Sequence, residues 1–181
     1  MRDTLETIHK NWGWFLASGI FLLVIGILAI GSSVFTTLFT MAFLGALLLI
    51  AGAIKTIYAF WAKDWSGFFL QLVGGLLYLF VGALIYWNPA KTAVALTLLM
   101  AIVFIISGAA KIIGSLIHRF PDWGWVFFSG LISLVLGGLI LSEWPVSGLW
   151  IIGLFVGIDL IFYGWAWIIM ALKAKNLPKL P

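Results

Sequence analysis

Long apolar runs alternate with short polar segments along this chain, and the runs predict its fold class. Each run is close to or longer than the roughly 20 helical residues needed to cross a hydrocarbon core of about 30 Å. A spanning segment must satisfy its own backbone hydrogen bonds, so each run is expected to be an α-helix. The sequence therefore predicts an all-α integral membrane protein. Its six predicted transmembrane helices are Trp12–Ile30, Thr37–Phe60, Gly67–Trp87, Thr92–Ile117, Trp123–Ser142 and Ser147–Leu172.

Composition supports lipid as the solvent of this chain and narrows its chemistry. Of its 181 residues, 64% are hydrophobic and 9% are charged, and the mean hydropathy is +1.21. A water-soluble domain of this size has too much surface to bury so many apolar side chains. The sequence has no cysteine, which excludes disulfides, thiol nucleophiles and cysteine-based metal sites. It also lacks the common phosphate-binding, metalloenzyme and hydrolase motifs, so we expect no enzyme activity, no cofactor and no metal.

The distribution of basic residues predicts the orientation of the helices. All but one of the 10 Lys and Arg residues fall on the side shared by the two termini, the second loop and the fourth loop; the exception is Lys91. By the positive-inside rule, both termini are expected in the cytoplasm. Residues 1–11 are then an interfacial segment, and residues 174–181 are a basic tail that contacts anionic lipid rather than nucleic acid. The residues on the cytoplasmic side are Arg2, Lys10, Lys55, Lys63, Lys111, Arg119, Lys173, Lys175 and Lys179.

Small residues recur at one spacing in all six predicted helices. After a shift of about 56 residues the chain aligns with itself, and each helix shows two small residues seven positions apart. Seven residues are close to two helical turns, so both lie on one face. Lipid gives helices little hydrophobic reason to associate, which makes faces that allow close backbone approach a main source of helix packing. The predicted packing residues are Gly19, Gly26, Gly45, Gly52, Gly75, Gly82, Ala101, Gly108, Gly130, Gly137, Gly157 and Gly164.

The same alignment predicts three tandem two-helix repeats within a single membrane domain, at residues 12–61, 67–118 and 123–173. Because each repeat contains two spans, successive repeats enter the membrane in the same orientation. Parallel repeats of this kind are naturally related by rotation about the membrane normal. A pseudo-threefold bundle is therefore the expected arrangement.

Asp159 is the one charged residue near the middle of a predicted span, and the aligned positions of the other repeats hold Leu47 and Val103. A carboxylate that faces lipid is unfavourable, so Asp159 is expected to face protein or a water-filled cavity, where desolvation favours the neutral acid. It is then either a proton-binding group or a structural hydrogen-bonding group, and the sequence leaves both open. Polar residues at similar depth that are candidate partners are Tyr78, Ser133 and Tyr163.

Two lysines, Lys55 and Lys111, each follow an aligned glycine by three residues in the cytoplasmic third of a predicted helix. Their side chains are long enough to reach the cytoplasmic surface, and such snorkelling is the ordinary expectation. Alternatively, the two lysines line a cytoplasmic vestibule that admits anions or lipid headgroups, and Gln71 could join either arrangement. All three residues are candidate lipid or anion contacts.

Glycine motifs recur in the three hairpins and end with one distinctive stretch. They are Ser18–Gly19 with Ile25–Leu28, Gly75 with Val81–Leu84 and Pro89, Ser129–Gly130 with Leu136–Leu139 and Pro145, and finally Val156–Gly164. Together they resemble the HdeD family of bacterial acid-resistance membrane proteins, over nearly the whole chain. One departure is Ser33, which stands where the later repeats have proline. The resemblance implies a small multi-pass protein of the bacterial cytoplasmic (inner) membrane that is associated with survival in acid, and it lends no catalytic residues.

Three hypotheses for the function follow. The first is a non-enzymatic membrane protein of acid-stress tolerance, with Asp159 as a protonatable midplane group. The second is a structural or interaction module whose glycine faces assemble it with copies of itself or with other membrane proteins. The third is a small-solute or ion channel along the pseudo-threefold axis. Membrane lipids are expected partners in each case.

Overall fold

The computed structural model describes residues 12–61, 64–117 and 121–175 of the chain. The predicted interfacial segment 1–11 and residues 176–181 of the predicted basic tail lie outside the described residues. Lys63 and Arg119, which were assigned to the cytoplasmic side, also lie outside them.

Six long helices account for most of the described chain. Each is long and apolar enough to cross a membrane, which confirms the prediction of an all-helical fold with six helices suited to a multi-pass membrane protein. The helices are α1 (Trp12–Gly31), α2 (Ser33–Ala59), α3 (Trp65–Trp87), α4 (Pro89–Ile117), α5 (Trp123–Ser142) and α6 (Ile151–Lys175), with a short 3₁₀ helix at Val146–Leu149 before α6.

Four helix starts differ from those predicted, and that of α3, at Trp65 rather than Gly67, differs by only two residues. α2 begins at Ser33 rather than Thr37, and α4 begins at Pro89 rather than Thr92. Proline suits the first position of a helix, because it has no N–H to leave unpaired and its φ is already helical. The last helix begins at Ile151 rather than Ser147. The hydroxyl of buried Ser147 donates to the carbonyl oxygen of Ile140 at 2.8 Å, so Ser147 satisfies a free carbonyl near the end of α5 instead of starting α6.

The described chain divides into two compact units. The first comprises residues 12–36 and 153–175, and therefore contains α1 and nearly all of α6. The second comprises residues 37–152, which contain α3, α4, α5 and most of α2.

In the first unit α1 and α6 pack as an antiparallel pair through their small residues. A Cβ atom placed on Gly19 would lie 2.9 Å from the carbonyl oxygen of Gly164, and one placed on Gly26 would lie 2.8 Å from that of Gly157. Real Cβ atoms essentially never approach other atoms so closely. The absence of side chains therefore allows the two backbones to touch, with dispersion and weak Cα–H···O contacts as the attraction.

The second unit contains two more pairs of the same kind, α2 with α3 and α4 with α5. A Cβ atom on Gly52 would lie 2.9 Å from the carbonyl oxygen of Gly75, and one on Gly108 would lie 2.8 Å from that of Gly130. A second contact in each pair lies seven residues away, between Gly45 and Gly82 and between Ala101 and Gly137. Each pair thus joins the second helix of one repeat to the first helix of another, rather than the two helices of one repeat.

All twelve small residues that the sequence singles out are buried. The odd-numbered helices also bury the same three positions of their repeat, which are Gly19, Gly26 and Ala29 in α1, Gly75, Gly82 and Ile85 in α3, and Gly130, Gly137 and Ile140 in α5. The chain's own helices therefore occupy these faces. Assembly with other copies through the same glycines would require an intramolecular pair to separate.

Large apolar side chains point away from these pairs. Phe21, Phe35 and Phe80 are 65%, 70% and 63% exposed. Such surfaces are unfavourable in water and compatible with hydrocarbon. The outer faces of the helices are therefore suited to contact lipid.

Two adjacent glycines in α5 provide a direct test of the close helix contacts. A Cβ atom on Gly137 would lie 2.7 Å from Cγ1 of Ile105 and 2.9 Å from the carbonyl oxygen of Ala101, whereas one on Gly138 would have no neighbour within 4 Å. We expect Gly137→Ala to lower the free energy of unfolding in detergent by about 1–3 kcal/mol through overpacking. We expect Gly138→Ala to leave it unchanged or raise it by up to about 1 kcal/mol, because alanine favours helix. Thermal unfolding followed by circular dichroism measures both, and equal effects would contradict the α4–α5 contact.

Candidate functional site

Asp159 lies on the face of α6 that points away from α1. Gly157 contacts α1, and Asp159 follows it by two residues, about 200° around the helix. Its side chain is exposed, and no hydrogen bond or ion pair involves it within the described residues. α1 carries no Asp, Glu, Lys, Arg, His or Tyr. Within the described residues the carboxylate has no bonding partner, and the expectation that it faces protein or a water-filled cavity stays a prediction.

The three predicted partners of Asp159 are in different surroundings. Tyr163 lies one turn further along α6 and is also exposed, so its ring and the carboxylate share one face. Tyr78 lies in the second unit, where its ring is below the Nζ atom of Lys55. The hydroxyl of Ser133 donates to the carbonyl oxygen of Ser129 in its own helix, at 2.9 Å. A bond from any of the three to Asp159 stays a prediction.

Lys55 reaches across the α2–α3 pair. Its Nζ atom lies 5.1 Å from the centroid of the Tyr78 ring, and it would be 2.9 Å from a Cβ atom placed on Gly74. Cation–π attraction holds the ammonium over the aromatic face. The side chain thus extends sideways onto α3 instead of towards the end of its own helix. Snorkelling to the cytoplasmic surface, the ordinary expectation from the sequence, stays a prediction.

Lys111 makes the equivalent reach across the α4–α5 pair. Its Nζ atom donates a hydrogen bond to the hydroxyl of Ser129 at 3.3 Å. In the aligned sequence Ser129 corresponds to Gly74, because each residue immediately precedes a packing glycine, Gly130 or Gly75. The two lysines therefore contact the same position of successive repeats.

Gln71, the third candidate for lipid or anion contact, is half-buried near the start of α3 and makes no hydrogen bond within the described residues. The structure adds a residue that the sequence reasoning missed, Ser129, whose position directly before Gly130 was the available signal. It also adds two buried hydroxyls without a hydrogen-bond partner among the described residues, those of Thr56 and Thr97. Both threonines lie on helices that carry packing glycines. The only feature of the sequence that could have identified them is their position on the packing face.

Metal chemistry finds no support in the part of the chain that the structure describes. No three His, Cys, Asp or Glu side chains come together there in an arrangement that could hold a metal ion. The described carboxylates outside the helices are Asp64, Asp122 and Glu143, and Asp159 is the only one within a helix.

Comparison with known families identifies a repeat in the chain. Residues 17–87 and 73–142 each match a family described as a short repeat of unknown function, DUF308. The two matches begin 56 residues apart (73 − 17), which is the shift that aligns the glycines. They therefore confirm an internal repeat for two copies, while the third copy stays a prediction. No curated protein and no solved structure was found to match the chain.

The exposed position of Asp159 has a measurable consequence for stability. We expect Asp159→Asn, which keeps the size and polarity of the side chain, to change the free energy of unfolding in detergent by less than about 0.5 kcal/mol, because the described chain offers the carboxylate no bond to lose. The matched control is Gly157→Ala, whose Cβ atom would lie 2.6 Å from Cγ1 of Ile30 and which should lower the free energy by about 1–3 kcal/mol. A loss for Asp159→Asn as large as that for the control would show that the chain does bond the carboxylate.

Proposed function

Since the chain belongs to the DUF308 family, we propose that it is a non-enzymatic membrane protein of acid-stress tolerance, in which Asp159 is the proton-binding group. HdeD-like membrane proteins belong to the same family, and the glycine motifs of this chain resemble theirs. We place the chain in the bacterial cytoplasmic membrane with both termini in the cytoplasm. The unequal distribution of Lys and Arg supports that orientation.

One observation carries the proposal: the only carboxylate within the six helices is exposed and has no partner in the described chain. In its ionised form Asp159 requires water or a polar partner, because a charge in hydrocarbon is unfavourable. When a proton binds, the group becomes a neutral acid that hydrocarbon accepts far more readily. The surroundings available to the outer face of α6 therefore depend on pH.

The outer face of α6 explains how one proton could change a contact. Next to Asp159 this face carries Phe162 and Tyr163, which are both exposed. The ionised carboxylate interrupts an otherwise apolar surface, which becomes continuous when a proton binds. Acid would therefore favour covering this face with lipid, with a second copy or with another membrane protein.

The depth of Asp159 fits a group that senses the outside. It lies eight residues after Ile151, about 12 Å along the helix at 1.5 Å per residue. In the proposed orientation that end of α6 is on the external side. A proton from an acid exterior would then have a shorter path to Asp159 than one from the cytoplasm.

A structural or interaction role is the second candidate. The glycine faces are buried within the chain, so this role would use another surface, and the Asp159 face is the one that acid would change. A channel along a pseudo-threefold axis is a third proposal, and a measurement of flux separates it from the second.

Proton entry into liposomes tests the proposal. The protein is reconstituted with a pH-sensitive dye inside and acid outside, and native protein is compared with Asp159→Asn, which cannot bind the proton. The matched control is Glu143→Gln, the same chemical change in the segment between α5 and α6. If Asp159 is part of a proton path, native protein and Glu143→Gln acidify the interior faster than empty liposomes, whereas Asp159→Asn does not.

Two other outcomes would redirect the interpretation. Equal acidification by native protein and Asp159→Asn would contradict a path through this residue and favour a channel elsewhere. No acidification above empty liposomes, with the protein shown to be folded, would rule out proton conduction under those conditions. The proposal would then rest on an acid-dependent contact of the α6 face. In that case the native protein associates only at low pH, whereas Asp159→Asn associates at neutral pH as well.

A further inference from the structure

Two lysines at equivalent positions of successive repeats each lie beside a surface cavity. Lys55 of α2 and Lys111 of α4 are 56 residues apart (111 − 55), and each crosses to the neighbouring odd-numbered helix of its pair. Each also contacts a residue that lines a cavity on that neighbour. These features are separate from Asp159 and do not depend on the proposed role in acid.

The α4–α5 cavity combines an apolar wall with hydroxyl groups. It lies on the α5 side of this pair, has a volume of about 270 Å³ and is lined by the α5 residues Trp125, Phe128, Ser129, Ile132 and Ser133. Ser129 accepts the hydrogen bond from Lys111, which leaves its own O–H free to donate to another acceptor. The cavity wall therefore contains a hydroxyl donor next to aromatic and aliphatic surface, and the Lys111 ammonium is bonded to that hydroxyl from outside the lining.

The α2–α3 cavity is more apolar, with Tyr78 as its one polar lining residue. Its volume is about 250 Å³, and it is lined by Leu48, Leu77, Tyr78 and Val81. Tyr78 is also the residue whose ring the Lys55 ammonium covers. This second site again places one cation at the edge of an apolar surface on a helix that can span the membrane.

Neither lysine has a carboxylate partner within the described residues. An ammonium group on a membrane-spanning helix is costly without a counter-charge. A ligand suited to these edges carries a negative charge next to an aliphatic chain. Basic pockets between transmembrane helices on the cytoplasmic side are known to bind anionic lipid headgroups.

We propose that each of these two cavities binds one anionic glycerophospholipid. The phosphate accepts hydrogen bonds from Lys111 and Ser129 at the α4–α5 site and pairs with Lys55 at the α2–α3 site. An acyl chain lies against the apolar lining of each cavity. The lipid thereby neutralises the two ammonium groups and fills the surface cavities beside the helix pairs.

The third helix pair explains why the number of sites is two. The position that aligns with Lys55 and Lys111 in the third repeat is Trp167, another 56 residues along the chain (167 − 111). Its ring packs on Phe15 of α1, with the centroids 5.3 Å apart. This pair therefore has an aromatic contact where the other two have a cation.

Native mass spectrometry of the purified full chain in detergent tests the proposal. Phosphatidylglycerol is compared with phosphatidylcholine of the same acyl chains, and we expect the native protein to retain two phosphatidylglycerol molecules in preference to phosphatidylcholine. Lys55→Ala and Lys111→Ala should each retain only one phosphatidylglycerol molecule. At the altered site the preference for phosphatidylglycerol over phosphatidylcholine should fall about fivefold, which corresponds to about 1 kcal/mol for one lysine near an anionic surface. The double variant should show no preference.

Matched variants separate this site from a general effect of charge. Lys91→Ala removes the same charge from the first turn of α4, at the opposite end from Lys111, and should still retain two lipids. Lys111→Arg keeps the charge, so this variant should still retain two phosphatidylglycerol molecules if the site needs a cation. Unchanged thermal unfolding of each variant establishes that it is folded.

Three results would overturn the proposal. The first is equal retention of phosphatidylglycerol and phosphatidylcholine by the native protein. The second is a loss of lipid for Lys91→Ala as large as that for Lys111→Ala. The third is displacement of the lipid by excess inorganic phosphate, which would show an anion site that does not recognise the acyl chain. Retention of the lipid in excess phosphate supports the glycerophospholipid.

Discussion

The weak drive for helix association in lipid is the constraint on which the rest of this structure depends. Apolar side chains gain little by leaving hydrocarbon for a helix surface that is equally apolar. The chain meets this constraint with small residues placed two turns apart, so that backbone meets backbone in three antiparallel pairs. Because the contacts are backbone to backbone, even one added methyl group is badly accommodated. The same contacts leave the large side chains free to face lipid.

Much of this architecture could be predicted from the sequence, because its signals are local. Apolar runs give the helices, and the seven-residue spacing gives the packing face. The partner of each face could not be predicted, because Gly52 is as suited to a glycine of its own repeat as to Gly75 of the next. The start of α6 was wrong for a related reason, since a bond from Ser147 to Ile140 depends on how two segments meet.

The family matches agree with the pairing that the structure shows. Each matched stretch, 17–87 or 73–142, contains two complete helices, part of a third and one complete glycine pair, α2 with α3 or α4 with α5. A single two-helix repeat contains no complete glycine pair, because each of its helices packs on a helix of another repeat. The stretch recognised as a sequence family therefore includes one complete packing unit, even though the period of the repeat is two helices.

The candidate site was only partly predictable from the sequence. Asp159 was identified because a carboxylate is rare within an apolar helix, but its exposure depends on which face of α6 meets α1. Similarly, charge and position identified Lys55 and Lys111, while their contacts with Tyr78 and Ser129 became evident only when the helices were paired. The residue type therefore indicates the chemistry of a side chain, whereas the rotation of its helix decides which groups that side chain can contact.

The pairing of α1 with α6 also sets an order for biosynthesis. The glycine faces of α2 and α4 find their partners in the helix made directly afterwards, so both contacts can form while the chain is still being inserted. The face of α1 must wait until α6 has left the ribosome, because Gly19 and Gly26 meet Gly164 and Gly157. A contact between such distant segments closes a long loop and forms slowly. Among these six helices α1 therefore waits longest for its partner, and until then its glycines are open to lipid or to the insertion machinery.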